Sequence, residues 1–400
     1  MTYTINLTKT IGGIAVFLSL IPWYSFGLLN SDSMPWPFLG YVFFLMSLNN
    51  PIKIPKNFMI FFGVLIFGIF VALFMSDNIL DQNTFRSLYN YLGVVVFYVG
   101  FYNYLQKYGF PNSIFIFVNI LWLLFGILEL LSPETASIFS TARTTEGRGV
   151  TSLAPEATFF GIYLFFSSWL IIVGNNYKLS KKLTFLIFLN LISIFILAKS
   201  SMVVLYLAIA GMIFFAYAYL RLIWNKKMIK QTLYAAIFLF VGISILSQAQ
   251  DGSRFIELYN QISQDVGIFV IFSIDGSLNH RLEHLVYSVH GSLNNFLIPA
   301  GFDAFSQAKD VMDSTYNYFF WSGIPSNKIM SWNGDWMYQL GIFGLIFVGF
   351  LIYKSSDGSR LRNTEIFLLI ILLFSAIPLA FPLISMLLAL YTYQFKIKST

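Results

Sequence analysis

The chain has 400 residues, of which 57% are hydrophobic, 19% aromatic and only 10% charged, with a formal net charge of +6. Soluble domains carry about 25% charged residues, so this composition excludes an ordinary soluble protein and predicts a polytopic membrane protein. The chain contains no cysteine, which excludes disulfides, thiolate nucleophiles and cysteine-ligated metals.

Long apolar stretches recur along the chain, and about 20 mostly apolar residues are needed to cross a bilayer as a helix. In chain order, the sequence predicts spans at 10–29, 36–48, 57–75, 86–105, 113–131, 156–174, 183–198, 201–222, 231–247 and 333–353. The last apolar stretch, 366–395, contains Pro378 and Pro382, and we expect it to form two tightly turned spans. One kinked span is the alternative. The predicted fold is therefore all-α, with about twelve transmembrane helices.

The basic residues indicate which side of the membrane each connection faces. With a cytoplasmic N-terminus, most of the 24 lysines and arginines lie in the inner connections, as the positive-inside rule requires. The twelve-span count also keeps Lys396 and Lys398 inside, whereas eleven spans would place them outside. We therefore expect a multi-pass protein whose N-terminus is cytoplasmic.

Two outer connections are longer than a simple turn. Residues 1–247 are predicted to form a transmembrane bundle with an outer loop at 132–155, and residues 333–400 to form the C-terminal transmembrane helices. Between them, 248–332 is a polar segment, and loops of that length are uncommon unless they have a function or structure of their own. Because this segment also holds all three histidines of the chain, we expect the polar chemistry on the outer face.

Within that segment, residues 279–293 (NHRLEHLVYSVHGSL) have the periodicity of a short amphipathic helix. Its polar side is predicted to carry Arg281, His284 and Ser288, while His290 lies about half a turn away and next to Gly291, where we expect the helix to fray. The alternative is an interfacial helix whose polar face is simply solvated. The predicted apolar face consists of Leu282, Leu285, Val286, Val289 and Leu293.

The same helix contains HRLEH, residues 280–284, which matches the H-x-x-E-H pattern of some zinc peptidases. A five-residue match is weak evidence by itself, and the soluble domain of those enzymes is not visible in the sequence. A zinc site of another kind, with His290 as a third ligand, is the remaining metal hypothesis. We predict no metal.

The stretch EGRGVTSLAPEATFFG, residues 146–161, places Arg148 and Glu156 next to a predicted span. Pro155 followed by Glu156 is an ordinary helix start, because proline suits the first turn and a negative charge suits the helix N-terminus. The simpler interpretation of Arg148 and Glu146 is that they form an ion pair in a solvated loop. Arg86 opens the span at 86–105 and either neutralises a lipid phosphate or anchors the helix.

Three stretches taken together resemble the O-antigen polymerase and O-antigen ligase family: GRGVTSLAPEATFFG (147–161), Arg281 followed by IPAGFDAF (298–305), and WNGDWMYQLGIFGLIF (332–347). The departures are Ala157 after Glu156 where the family has proline, Asp303 in place of a glycine, and no His-Asn pair before the returning span. The missing pair favours the polymerase branch.

The resemblance implies a glycosyltransferase C-like fold, with one long helical extracytoplasmic loop, in the bacterial inner membrane. It implies a polyprenyl-diphosphate-linked glycan as donor, with Arg148 and Arg281 at the diphosphate, because guanidinium groups stabilise its growing charge. Arg143, Arg86, Asp335 and Trp332 are the candidates for further substrate contacts, and His284, His290 and Glu156 for the base.

The glycosyl transfer that the resemblance implies requires no cofactor and no nucleic acid. The other partners implied are membrane lipid and a copolymerase that determines chain length. The alternatives are a ligase that transfers polymer to a lipid-A core and a lipid-linked oligosaccharide flippase. Transport is disfavoured because the predicted spans carry almost no charge and show no repeated halves.

Overall fold

A computed structural model describes residues 6–24, 34–133, 149–220, 276–316, 319–320 and 328–399. The described residues form helices and no strand, which confirms the all-α prediction for this part of the chain. The helices are α1 (Leu7–Ser19), α2 (Trp36–Met46), α3 (Phe58–Met75), α4 (Gln82–Tyr108), α5 (Asn112–Leu131), α6 (Ala157–Gly174), α7 (Lys181–Ser193, extended by a π-helical turn at Ile194–Ala198), α8 (Ser201–Leu220), α9 (Gly276–Asn294), α10 (Phe305–Thr315), α11 (Trp332–Gln339), α12 (Gly341–Ser355), α13 (Arg360–Leu372) and α14 (Pro382–Ser399).

Four helices in the described residues are long and apolar enough to cross a membrane: α3, α5, α6 and Lys181–Ala198. In α3 and α5 only 28% of the apolar window is buried inside the protein, whereas in α6 the share is 78%. Apolar side chains that face outward over a whole helix need lipid around them. The chain is therefore an all-helical membrane protein, and the prediction of about twelve spans remains untested.

Three predicted spans have different limits in the structure. The first, predicted at 10–29, is helical only to Ser19 in the described residues, because Pro22 lacks an N–H and cannot continue the helix. The second, predicted at 333–353, is two helices that meet at Gly341, whose φ of +55° lies in the left-handed region. The third, 366–395, is two helices, α13 and α14, and Pro382 begins α14 at the position where proline is favoured. The predicted span at 231–247 lies outside the described residues.

The chain divides into two compact units. The first comprises Met1–Asn50, Tyr104–Asn260 and Pro382–Leu390, and the second Pro51–Asn103, Gln261–Phe381 and Tyr391–Thr400. In the first unit, α1 packs closely on α2, since a Cβ added to Gly40 would lie 3.1 Å from the backbone of Ala15. In the second, α3 packs on α12, where the rings of Phe61 and Phe350 stack with their centroids 4.2 Å apart.

A buried network of amides and hydroxyls joins α5, α6 and α7 inside the first unit. The Asn119 amide donates to the Ser167 hydroxyl at 2.7 Å, and the Asn190 amide donates to the Asn119 carbonyl oxygen at 2.8 Å and to the Ser168 hydroxyl at 3.0 Å. All four residues are buried and none is charged. Hydrogen bonds between such groups offset the cost of burying them in an apolar interior. We call these four residues the neutral network.

The segment before α6 is held to the first unit by a carboxylate that the sequence did not single out. Glu129 at the end of α5 accepts hydrogen bonds from the backbone N–H groups of Thr151 and Ser152 at 2.6–2.9 Å. The Val150 N–H donates to the Leu197 carbonyl oxygen at 2.9 Å, and a Cβ on Gly149 would overlap the carbonyl of Ala198. The chain is thus fixed from Gly149 onward, and Glu156 follows as the N-cap of α6.

Candidate functional site

The candidate site lies in the second unit and is built on α9. The helix runs from Gly276 to Asn294, so the predicted fraying at Gly291 is wrong. Gly291 is buried against the ring of Tyr338, which keeps this end of the helix packed. The helix contributes His280 and His284 to one cluster and His290 to a contact with Tyr316.

The side of α9 that packs inward is the polar one. None of the five residues of the predicted apolar face is buried, and Leu293 is 58% exposed. The alternative of a solvated polar face is therefore wrong for His284 and Ser288, which are 1% and 0% exposed. The buried residues of the helix recur at three- and four-residue spacings, as one helix face requires, and are Asn279, Glu283, His284, Tyr287, Ser288, Gly291 and Ser292.

This polar face is stable inside the unit because neighbouring segments supply both apolar and charged partners. Tyr287 joins a buried hydrophobic cluster with Phe305, Met312, Phe320, Ile329 and Tyr338. Beside that cluster, the Lys309 ammonium of α10 lies 2.7 Å from the Glu283 carboxylate. Both side chains are nearly inaccessible, at 4% and 0%, and a buried charge persists only when it is paired.

A continuous chain of polar contacts leads from this ion pair to His284. The second carboxylate oxygen of Glu283 lies 2.7 Å from His280 Nδ1, and His280 Nε2 lies 3.1 Å from His284 Nε2. The His284 ring is also stacked on Phe305, with the centroids 5.2 Å apart. We call Lys309, Glu283, His280 and His284 the charged network.

Burial and charge act differently on the two titratable groups at its centre. Burial opposes ionisation of Glu283, but the hydrogen bonds from His280 and Lys309 outweigh it and lower the pKa of the carboxyl. For His284, burial is the main cause of a pKa lowered to about 3, and the lysines Lys309 and Lys328 nearby act in the same direction. The His284 imidazole is therefore neutral at physiological pH.

His290 is separated from the charged network. Its Nδ1 makes a 2.7 Å hydrogen bond with the Tyr316 hydroxyl, and the two rings meet edge to face. Next to it, the Tyr287 hydroxyl donates to the Asp313 carboxylate at 2.6 Å. Of the two histidines predicted as bases, the structure thus places only His284 among the charged groups.

Asp335, predicted to contact substrate, lies in the first turn of α11 and is buried. Burial raises the pKa of the Asp335 carboxyl well above its ordinary value, and the positive charges of Lys328 and Arg86 act in the opposite direction. The hydroxyl of Tyr91 lies 3.0 Å from both the Asp335 backbone carbonyl and the Gln339 side chain, which fixes α11 against α4. Arg86 is half-buried in the first turns of α4.

Trp332, the other predicted substrate contact, is 1% exposed, and its indole N–H donates to the Leu379 carbonyl oxygen at 3.2 Å. This hydrogen bond holds α11 to the segment before α14. The substrate contact at Trp332 stays a prediction.

The IPAGFDAF stretch (298–305) packs against the C-terminal end of α3 and the residues that follow it. Gly301 has a φ of +98°, and a Cβ there would lie 3.0 Å from the backbone of Met75. The Asp303 carboxylate accepts hydrogen bonds from the backbone N–H groups of Asp77 and Asn78 at 3.3 and 3.0 Å. The aspartate that departs from the family pattern therefore has a structural role here.

Four predicted site residues remain: Arg143, Arg148, Glu156 and Arg281. Arg143 and Arg148 lie outside the described residues. Glu156 belongs to the first unit, where it is half-buried and makes no capping hydrogen bond through its side chain. Arg281 lies on α9 and is half-buried.

The H-x-x-E-H residues come close enough to be considered as a metal site. His280, Glu283 and His284 each offer a ligand atom within 4.8 Å of the others. However, both carboxylate oxygens of Glu283 are already occupied, one by the Lys309 ammonium and one by His280.

Sequence reasoning missed Glu283, Lys309 and Lys328 as parts of the site. Glu283 could have been found from its position three residues after His280, which brings the two side chains together on a helix. No local signal points to Lys309, because it pairs with Glu283 only after α10 packs on α9.

Comparison of the chain with protein-family models, with curated proteins and with solved structures gave no match.

Proposed function

We propose that the chain is a membrane glycosyltransferase that joins polyprenyl-diphosphate-linked oligosaccharide units into a surface polysaccharide on the outer face of the bacterial inner membrane. The proposal rests first on the resemblance of its three sequence stretches to the O-antigen polymerase and ligase family. It names an activity that needs few protein groups, since the diphosphate is already a good leaving group.

The observation that carries the proposal is the grouping of cations with one neutral, buried imidazole in the second unit. Lys309 and Lys328 act electrostatically on His284, and Lys328 and Arg86 act on Asp335. Cations near a partly desolvated site favour an anionic leaving group, and a neutral imidazole is the form that accepts a proton. Apolar helices adjoin this group in the same unit, as a lipid-linked donor requires.

Each of these groups has one role in the proposed reaction. The acceptor hydroxyl attacks the anomeric carbon of the donor glycan, and the bond from that carbon to the diphosphate oxygen breaks with its electron pair. Arg281 and Arg86 stabilise the diphosphate, and His284 takes the hydroxyl proton. The negative charge of a bound diphosphate raises the proton affinity of His284, because an opposite charge favours its protonated form.

The test uses the full chain purified into lipid nanodiscs, with polyprenyl-diphosphate-linked oligosaccharides extracted from the source cells. We expect a ladder of longer lipid-linked products. R281A and R86A should each reduce it by roughly 10²-fold or more, while R360A, at an exposed arginine of α13, should not.

Other products would indicate other functions. Transfer of a single glycan to a lipid-A core acceptor, without a ladder, would indicate a ligase. Movement of the lipid-linked units across the bilayer with no new bond would indicate a flippase. Either result contradicts the polymerase proposal.

A further inference from the structure

The contacts of the charged network constrain where its protons lie. Glu283 Oε1 lies 2.7 Å from the Lys309 ammonium in an ion pair, and Glu283 Oε2 lies 2.7 Å from His280 Nδ1. Because an ionised carboxylate can only accept, His280 Nδ1 must carry a hydrogen. Lys309 already balances the charge of Glu283, so the network does not require a second cation at His280.

This assignment sets the tautomer of His284. A neutral His280 that is protonated on Nδ1 has a lone pair on Nε2. Across the 3.1 Å contact, His284 Nε2 must then be the donor. His284 Nδ1 is left as an unprotonated acceptor, and this buried atom has no hydrogen-bond partner among the described residues.

We infer that Lys309, Glu283 and His280 are positioning residues that hold His284 in one tautomer, with Nδ1 as the nitrogen that accepts the substrate proton. The inference rests on the proposed glycosyl transfer and deepens it by naming the accepting atom. It also assigns a role to His280, Glu283 and Lys309, which have no role in the proposed reaction itself.

The proton transfer is balanced by the rest of the reaction. The hydroxyl proton moves to His284 Nδ1 as the new carbon–oxygen bond forms and the diphosphate departs with the electron pair of the broken bond. The imidazolium that forms keeps its Nε2–H bond to His280, and the Glu283 charge stabilises it through that ring, as a carboxylate does in a catalytic triad. The proton is then released to the diphosphate or to water.

A metal ion bound between the two histidines would use the same atoms, but the local charge disfavours it. The groups that act electrostatically on His284 are His280, Glu283, Lys309 and Lys328, in which two lysines face one carboxylate. A divalent cation would face this excess of positive charge and would compete with Lys309 for Glu283. The same surroundings favour an anion.

Nitrogen NMR of the histidines tests the tautomers directly. The chain has three histidines, so ¹⁵N-histidine labelling of the full chain in nanodiscs gives three imidazoles, assigned with H280Q, H284Q and H290Q. We expect hydrogen on Nδ1 of His280 and on Nε2 of His284 near neutral pH. Hydrogen on Nδ1 of His284, or signals that move on addition of Zn²⁺, would overturn the inference.

Two substitutions of His280 test the positioning role. Gln has an amide oxygen that can accept from His284 Nε2–H, whereas Leu has none. We expect H280L to lower kcat by roughly 10²-fold with little change in KM, and H280Q to restore most of it. The H280Q protein should also keep hydrogen on Nε2 of His284. Equal activity of H280L and H280Q, or a loss that appears only in KM, would overturn the inference.

The two experiments separate this inference from the proposed function. Wild-type protein with the expected tautomers but no polymer contradicts the glycosyl transfer and leaves the assignment of the protons intact. Polymer formation with the opposite tautomer at His284 contradicts the positioning role and leaves the glycosyl transfer intact.

Discussion

The neutral network of the first unit and the charged network of the second are both buried, yet they differ in chemistry. Asn119, Ser167, Ser168 and Asn190 join α5, α6 and α7, all of which contribute to candidate membrane spans, without a single charge. The charged network lies on α9 and α10, which are not among those spans. Charged groups within a bilayer are expensive, whereas amides and hydroxyls can satisfy one another there. The comparison indicates that uncharged groups join the candidate spans and that the buried charges lie on helices outside those spans.

Removing one charge from the charged network should have the largest effect on stability. E283Q leaves the Lys309 ammonium buried without its counter-ion, and breaking a buried pair in this way costs about 3–5 kcal/mol. We expect a markedly lower midpoint of thermal unfolding in nanodiscs. The matched control is E283Q combined with K309M, which removes both charges and should recover most of the loss. Equal destabilisation of the single and double variants would show that the ion pair is not what holds α9 and α10 together.

Acid should act on the charged network and spare the neutral one. The pKa of His284 is lowered to about 3 by burial, so between that value and about 6.5 the unfolded chain binds a proton that the folded chain does not. The contribution of His284 to the free energy of unfolding is then fully present above pH 6.5. It is lost as the pH falls, by up to about 1.4 kcal/mol per pH unit.

The measurement is the unfolding midpoint of wild type and H284Q between pH 7 and 4. H284Q should remove part of the slope, because glutamine does not titrate, while N119L should keep it. A slope that is identical in wild type and H284Q would contradict a neutral, buried His284.

Breaking the neutral network should change stability without changing chemistry. N119L removes the donor to Ser167 and leaves buried hydroxyl and amide groups without partners, at about 1–3 kcal/mol. We expect a lower unfolding midpoint and an unchanged kcat for polymer formation at a temperature where the protein is folded. A fall in kcat comparable to that of H280L would contradict the prediction that the neutral network affects stability and not kcat.

We expect the smallest effect on stability from a substitution just outside the charged network, at Tyr316. Y316F removes the hydroxyl that bonds His290 at 2.7 Å and should cost about 0.5–1.5 kcal/mol. The ¹⁵N signals of His290 should shift while those of His280 and His284 stay in place. A shift at His284 would show that His290 belongs to the same network after all.

Part of the site could be read from the sequence. The periodicity of 279–293 predicted the helix and placed Arg281, His284 and Ser288 on one side of it. It did not reveal that this side is buried, because the five apolar residues opposite would ordinarily face the core. Lys309 is remote in sequence, and its pairing with Glu283 depends on how α10 packs.

The sequence by itself determined that this is a helical membrane protein, since apolar length and scarce charge leave no other way to satisfy the backbone in lipid. It also set the helix limits at Pro22 and Pro382. Only the tertiary structure decided which side of α9 packs inward, because helical spacing fixes which residues share a face and not which partner that face meets. Lys309 then pairs the buried Glu283 carboxylate, and burial keeps His284 a neutral imidazole.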